Sequence, residues 1–146
     1  MASRKPQLKI SRQGQETKEV KTKTDNERYI SFSFRYFQNT DQLPAQSLET
    51  WHTDGSTIDL LRSLAHISQR NITELQAGDK KLTLYKSFPN KQVNEFSCPS
   101  GLSEDENWGC LRNIGGQKAR VAGFLKNNIF YIVFLDKEHK FYKSSK

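Results

Sequence analysis

Long apolar runs are absent from this sequence. No stretch approaches the ~20 residues that a membrane-crossing helix needs, and the mean hydropathy is −0.80. Cysteine is scarce: Cys98 and Cys110 are too few for a disulfide-stapled scaffold, and without CxxC spacing they offer no structural zinc site. Gly115-Gly116-Gln117-Lys118 does not complete a phosphate-binding loop, and no GxSxG elbow supports acyl transfer. The histidines His52, His66 and His139 are scattered, so neither a metal set nor a cofactor is expected. Residues 1–15 are basic but lack the apolar stretch of a secretory leader. Together these features point to the cytoplasm, where both thiols stay reduced and the Asn71-Ile72-Thr73 sequon stays unmodified.

What the chain has is positive charge and aromatic residues. Its 146 residues fit one domain, and 23 Lys and Arg against 16 Asp and Glu leave a net charge of +7. With a pI near 9.5, its field attracts polyanions. Nine Phe, five Tyr and two Trp supply much of a modest core, since each buried ring removes ~150–250 Å² from water. Residues 1–27 hold no aromatic residue and too little apolar surface to offset ordering entropy, which predicts a flexible basic arm. In it Arg4, Lys5, Lys9 and Arg12 are candidates for tracking phosphates. Residues 28–146 then form the folded domain.

Hydrophobic alternation predicts a strand over Tyr29–Phe37. A loop follows through Pro44 and His52. Ser56 with Asp59 resembles a capping box at the start of one long helix, whose apolar face is Ile58, Leu61, Leu64, Ala65 and Ser68. Asn71 with Glu74 repeats that pattern for a short helix ending at Gly78. Lys81–Phe88 alternates again, while residues 89–117 carry turn formers and an acidic patch at Glu104–Glu106 and predict short elements at most. Ala119–Leu125 and Ile129–Leu135 flank Lys126-Asn127-Asn128 as a hairpin, and His139–Tyr142 reads as a short terminal strand. The plan is α+β: a small antiparallel sheet with one long and one short helix on one face.

The C-terminal residues carry the chemistry. Arg120 shares a strand face with Lys118, and local pairing would bring it near His139, Lys140 and Tyr142. Arginine clamps phosphates, while His or Tyr moves protons, which suits RNA cleavage by the substrate's own 2′-hydroxyl. Cys110 with His139 as nucleophile and base is a further combination whose geometry the sequence leaves open. The segment from Arg120 through Val121-Ala122-Gly123-Phe124 and Ile129–Leu135 to His139 and Tyr142 resembles the C-terminal half of RelE-type toxins. That resemblance implies a small basic ribonuclease, many of which cut mRNA on the ribosome, held inactive by an antitoxin protein. It also implies that Arg120 is the strand arginine and that His139 and Tyr142 are the terminal pair.

Two function classes follow. The first is a metal-independent endoribonuclease of toxin type. In it Arg120 and Lys118 bind the scissile phosphate, His139 and Tyr142 transfer protons, and Lys140 holds the backbone. The second is a non-catalytic module of a phage or bacterial defence system that binds nucleic acid or protein through the arm and through surface aromatics at Tyr29, Phe37, Trp51 and Tyr85.

Overall fold

The computed structural model describes residues 28–116 and 118–143. The expected arm at residues 1–27, with Arg4, Lys5, Lys9 and Arg12, lies outside them. The described residues form β1 (Ser31–Ser33), α1 (Leu48–Thr53), α2 (Thr57–Ile67), α3 (Ile72–Gln76), β2 (Leu82–Leu84), β3 (Asn107–Leu111), β4 (Arg120–Lys126) and β5 (Ile129–Asp136). They build a five-stranded sheet in the order β1-β5-β4-β3-β2, so the α+β class holds. No helix among the described residues is long and apolar enough to cross a membrane.

The β4–β5 hairpin is the expected one. Asn127 and Asn128 both take positive φ, at 53° and 59°, as a two-residue turn that follows the strand twist requires. Inside the hairpin the register shifts between Ala122 and Gly123: Ala122 faces Phe134 and Gly123 faces Ile132, so β5 carries one extra residue, Val133. The bulge changes which way the rest of β5 faces. Phe130, Ile132 and Leu135 enter the core under the helices. The consecutive Val133 and Phe134 both enter the opposite core, and Asp136 then sits opposite Arg120. Gly123 permits the bulge, because a β-carbon there would collide with the Tyr131 carbonyl.

One sheet face is covered by the helices. Trp51, Leu60, Leu64, Ile67, Ile72 and Leu75 pack on Leu111, Val121, Phe130, Ile132 and Leu135. The α3 capping box is present, with the Asn71 side chain accepting from the Glu74 N–H and the Glu74 side chain accepting in return from the Asn71 N–H. The α2 box is not. Ser56 has αR rather than extended backbone and makes no side-chain cap; its Oγ accepts a 2.6 Å hydrogen bond from Lys137 Nζ. The buried stripe of α2 is Leu60, Leu64 and Ile67, rotated from the expected one, and Ile58 and Leu61 stay exposed. Periodicity allowed two stripes sharing Leu64, and docking against the sheet selected one.

Among the described residues, no helix covers the other face. It is covered by the long segment between β2 and β3 and by the C-terminal segment, with Phe96, Trp108, Phe124, Phe134 and Phe141 buried and Tyr85, Phe88 and Leu102 packed against them.

Other expectations shift. His52 lies on α1, not in a loop. Trp51, expected on the surface, is fully buried. β1 is shorter than Tyr29–Phe37 because a turn closes from Phe34 O to Phe37 N at 3.0 Å. It pairs parallel with β5, Phe32 opposite Phe130, in an otherwise antiparallel sheet. The chain then rejoins the same edge, with Gln38 N donating to Val133 O at 2.8 Å. β2 stops before Lys86, which has φ 71°. β3, unrecognised in the glycine- and acid-rich stretch, pairs Cys110 with both Thr83 and Ala122.

Gly123→Ala forces the bulge to open. A loss of about 1–3 kcal/mol in urea unfolding is the expected outcome. A variant as stable as wild type would show that the backbone yields without strain.

Candidate functional site

Strand neighbours at one end of the sheet, on the helix-free face, surround an open cleft of about 490 Å³. β2 and the residue after it contribute Thr83 and Tyr85, β3 leads to Cys110 and Arg112, β4 opens with Arg120, and the chain beyond β5 brings His139 and Tyr142. Lys80 and Lys143 stand among the lining residues as well. The three side chains expected to act together, Arg120, His139 and Tyr142, thus share one cleft. Lys118 and Lys140 are not among its lining residues. Lys118 pairs with Glu138 at 3.0 Å, and Lys140 Nζ stands 3.8 Å from Glu95.

The segment carrying His139 and Tyr142 is not a strand, and Asp136 explains why. Its carboxylate is fully buried; Oδ1 accepts from the Lys140 N–H at 2.8 Å and Oδ2 from the Phe141 N–H at 2.9 Å. Those donors are thereby withdrawn from any ladder, and the chain turns through His139 at φ 61°, a left-handed conformation uncommon outside glycine. Before the turn, Lys137 N donates to Gln46 Oε1 at 2.7 Å, and the same oxygen accepts from Trp51 Nε1 at 3.1 Å. After it, Lys143 N donates to Val93 O at 2.7 Å and Glu95 N donates to Lys140 O at 2.9 Å. The site's C-terminal wall is thus tied to α1, to the sheet and to the covering segment.

The electrostatics follow from burial beside cations. Burial lowers the His139 pKa from its ordinary 6.5, and the positive charges of Arg120, Arg112 and Lys118 lower it further. The imidazole is therefore neutral at pH 7 and able to accept a proton. Burial also lowers the pKa of Arg120, but a guanidinium starts so high that it stays charged. Burial pushes the Asp136 carboxyl up to about 6, against the opposing pull of its backbone N–H bonds and of Arg120. Tyr85 OH and Cys110 Sγ share a 3.3 Å hydrogen bond. Burial raises both their pKa values, so Cys110 stays a thiol and is a poor nucleophile despite sharing the cleft with His139.

The arrangement offers fixed positive charge, a neutral imidazole and two tyrosine hydroxyls beside stacked rings: Tyr85 and Tyr142 lie 4.4 Å apart at 19°. Sequence reasoning missed Arg112, Lys80 and the place of Tyr85 because each depends on the β2–β3 pairing. It missed Asp136 because strict alternation across β5 gives no hint of the bulge. Among the described residues, no group of three or more His, Cys, Asp and Glu gathers to hold a metal. No family model, curated protein or solved structure matches this chain.

Folding moves the Asp136 carboxyl from 3.8 to about 6. Between those values the folded protein holds that proton more tightly than the unfolded chain does. This residue's contribution is therefore most favourable below about pH 4 and is lost as pH rises through about 6. Asp136→Asn cannot titrate. Wild type should lose stability relative to the variant, by about 3 kcal/mol at most, as pH rises from about 4 to about 7. Thermal unfolding at stepped pH reads the gap, and a gap independent of pH would mean the carboxyl titrates as it does in the unfolded chain.

Proposed function

We propose that the protein is a metal-independent endoribonuclease and that the cleft at the end of the sheet is its active site. The observation that carries the reading is the convergence of His139 with Arg120, Arg112 and Tyr142 around one open cleft. Single-stranded RNA fits such a surface, with its phosphates drawn to the guanidinium and ammonium groups and its bases to the tyrosine rings.

In the reaction His139 takes the proton of a ribose 2′-hydroxyl, and the freed oxygen attacks the adjacent phosphorus. The P–O2′ bond forms as the P–O5′ bond breaks. Tyr142 supplies the proton that the departing O5′ takes up, leaving a 2′,3′-cyclic phosphate and a 5′-hydroxyl. Arg120 and Arg112 stabilise the charge that builds on the non-bridging oxygens. Asp136 touches no substrate; it positions His139 through the Lys140 and Phe141 N–H groups. The RelE-type resemblance supports the same roles for Arg120, His139 and Tyr142, and on that reading mRNA on the ribosome is the substrate and a cognate antitoxin the restraint.

Purified protein should cut RNA in EDTA and leave DNA of the same sequence intact, because DNA lacks the nucleophile. His139→Asn should lower cleavage by at least about 100-fold with an unchanged melting temperature, since Asn tolerates the same left-handed backbone. Wild-type cleavage should fall as pH drops below His139's lowered pKa and stay flat through neutrality. RNA held at low salt but never cut, free or on ribosomes, would make the protein a non-catalytic binder instead.

A further inference from the structure

Behind the tyrosine pair lies a second recess of about 340 Å³. It shares Tyr85, Val93 and Tyr142 with the catalytic cleft, so the stacked rings form the partition between the two. The recess is built, not incidental. Phe88 is wedged edge-on against Trp108 and Phe141, at 4.9 and 5.4 Å. Asn94 Nδ2 donates to Pro89 O at 3.1 Å, and Asn94 Oδ1 accepts from Phe96 N at 2.9 Å. The turn between them closes with Val93 N on Asn90 O at 3.1 Å and Gln92 N on Asn90 Oδ1 at 3.0 Å. That turn fixes Gln92 at the rim, exposed, with its side-chain amide making no hydrogen bond among the described residues.

The chemistry of the two spaces differs. Cations line the cleft, whereas no charged residue lines the recess, which pairs aromatic walls with the primary amides of Asn90 and Gln92. A carboxamide offers one donor beside one acceptor, the pattern that complements the edge of a nucleobase. We infer that the recess is a nucleobase subsite for single-stranded RNA, holding the base next to the phosphate bound in the cleft, with Gln92 reading its edge. The inference rests on the ribonuclease reading for the identity of the ligand. It goes further in assigning base selection to the segment after β2 rather than to the catalytic side chains.

Binding of short adenylate, cytidylate and uridylate oligonucleotides, measured at one salt concentration, tests it apart from cleavage. Wild type should bind one of the three at least about 10-fold more tightly than the others. Gln92→Ala should erase that difference, and because this side chain is exposed and makes no hydrogen bond among the described residues, the fold should be unaffected. Arg112→Ala should weaken all three alike, as loss of a phosphate contact does. Equal affinities in wild type, or a preference that Gln92→Ala preserves, would overturn the subsite even if RNA is cut. A Gln92-dependent preference in a protein that never cuts RNA would keep the subsite and overturn the nuclease.

Discussion

Between Ala122 and Gly123 the β4–β5 ladder takes one more residue on β5 than on β4, and that insertion sets which way the end of β5 faces. Without it, Phe134 would face the helices and Asp136 would follow. With it, Phe134 joins the helix-free core and Asp136 lies opposite Arg120. A buried carboxylate must have its oxygens satisfied, and the N–H groups of Lys140 and Phe141 satisfy them. The turn that presents His139 to the cleft therefore depends on a backbone irregularity several residues earlier, permitted by a glycine with no room for a β-carbon.

The sheet also needs two covers, and it obtains them in different ways. Helices bury one face with aliphatic side chains and Trp51. The other face is closed by an irregular segment whose rings interlock, Phe88 on Trp108 and Phe96 on Phe134 among them. Aromatic residues suit this work because a single ring buries a large area without regular backbone around it. The segment stops short of one end of the sheet. There the cleft opens: Thr83, Arg112 and His139 are partly exposed to it, while Arg120 behind them is buried. Burial is what lowers the pKa of the half-buried His139 and raises that of the fully buried Asp136.

Much of this was legible from local patterns. The hairpin was, because two adjacent asparagines at a turn between apolar strands specify its geometry. The α3 cap was, because Asn71 and Glu74 act across only three positions. The gathering of Arg120, His139 and Tyr142 was legible in outline from their placement around that hairpin, although the terminal strand invoked to bring them together is a carboxylate-held turn. Ser56 shows the limit of such reasoning. Its side chain and spacing match a capping box, yet Lys137 lies close enough to claim the hydroxyl.

By itself the sequence determined the α+β class, the central hairpin and the residue types available for phosphate and proton chemistry. These follow from short-range periodicity, turn chemistry and net charge, which need no knowledge of distant neighbours. Only the tertiary structure decided the rest: the parallel pairing of β1, the rotation of α2, the burial of Trp51, the β3 strand behind Cys110 and Arg112, and the side of the sheet on which Asp136 falls. Each of those is settled by competition between residues far apart in the chain for the same buried surface or the same hydrogen-bond donor, and local pattern carries no record of which competitor prevails.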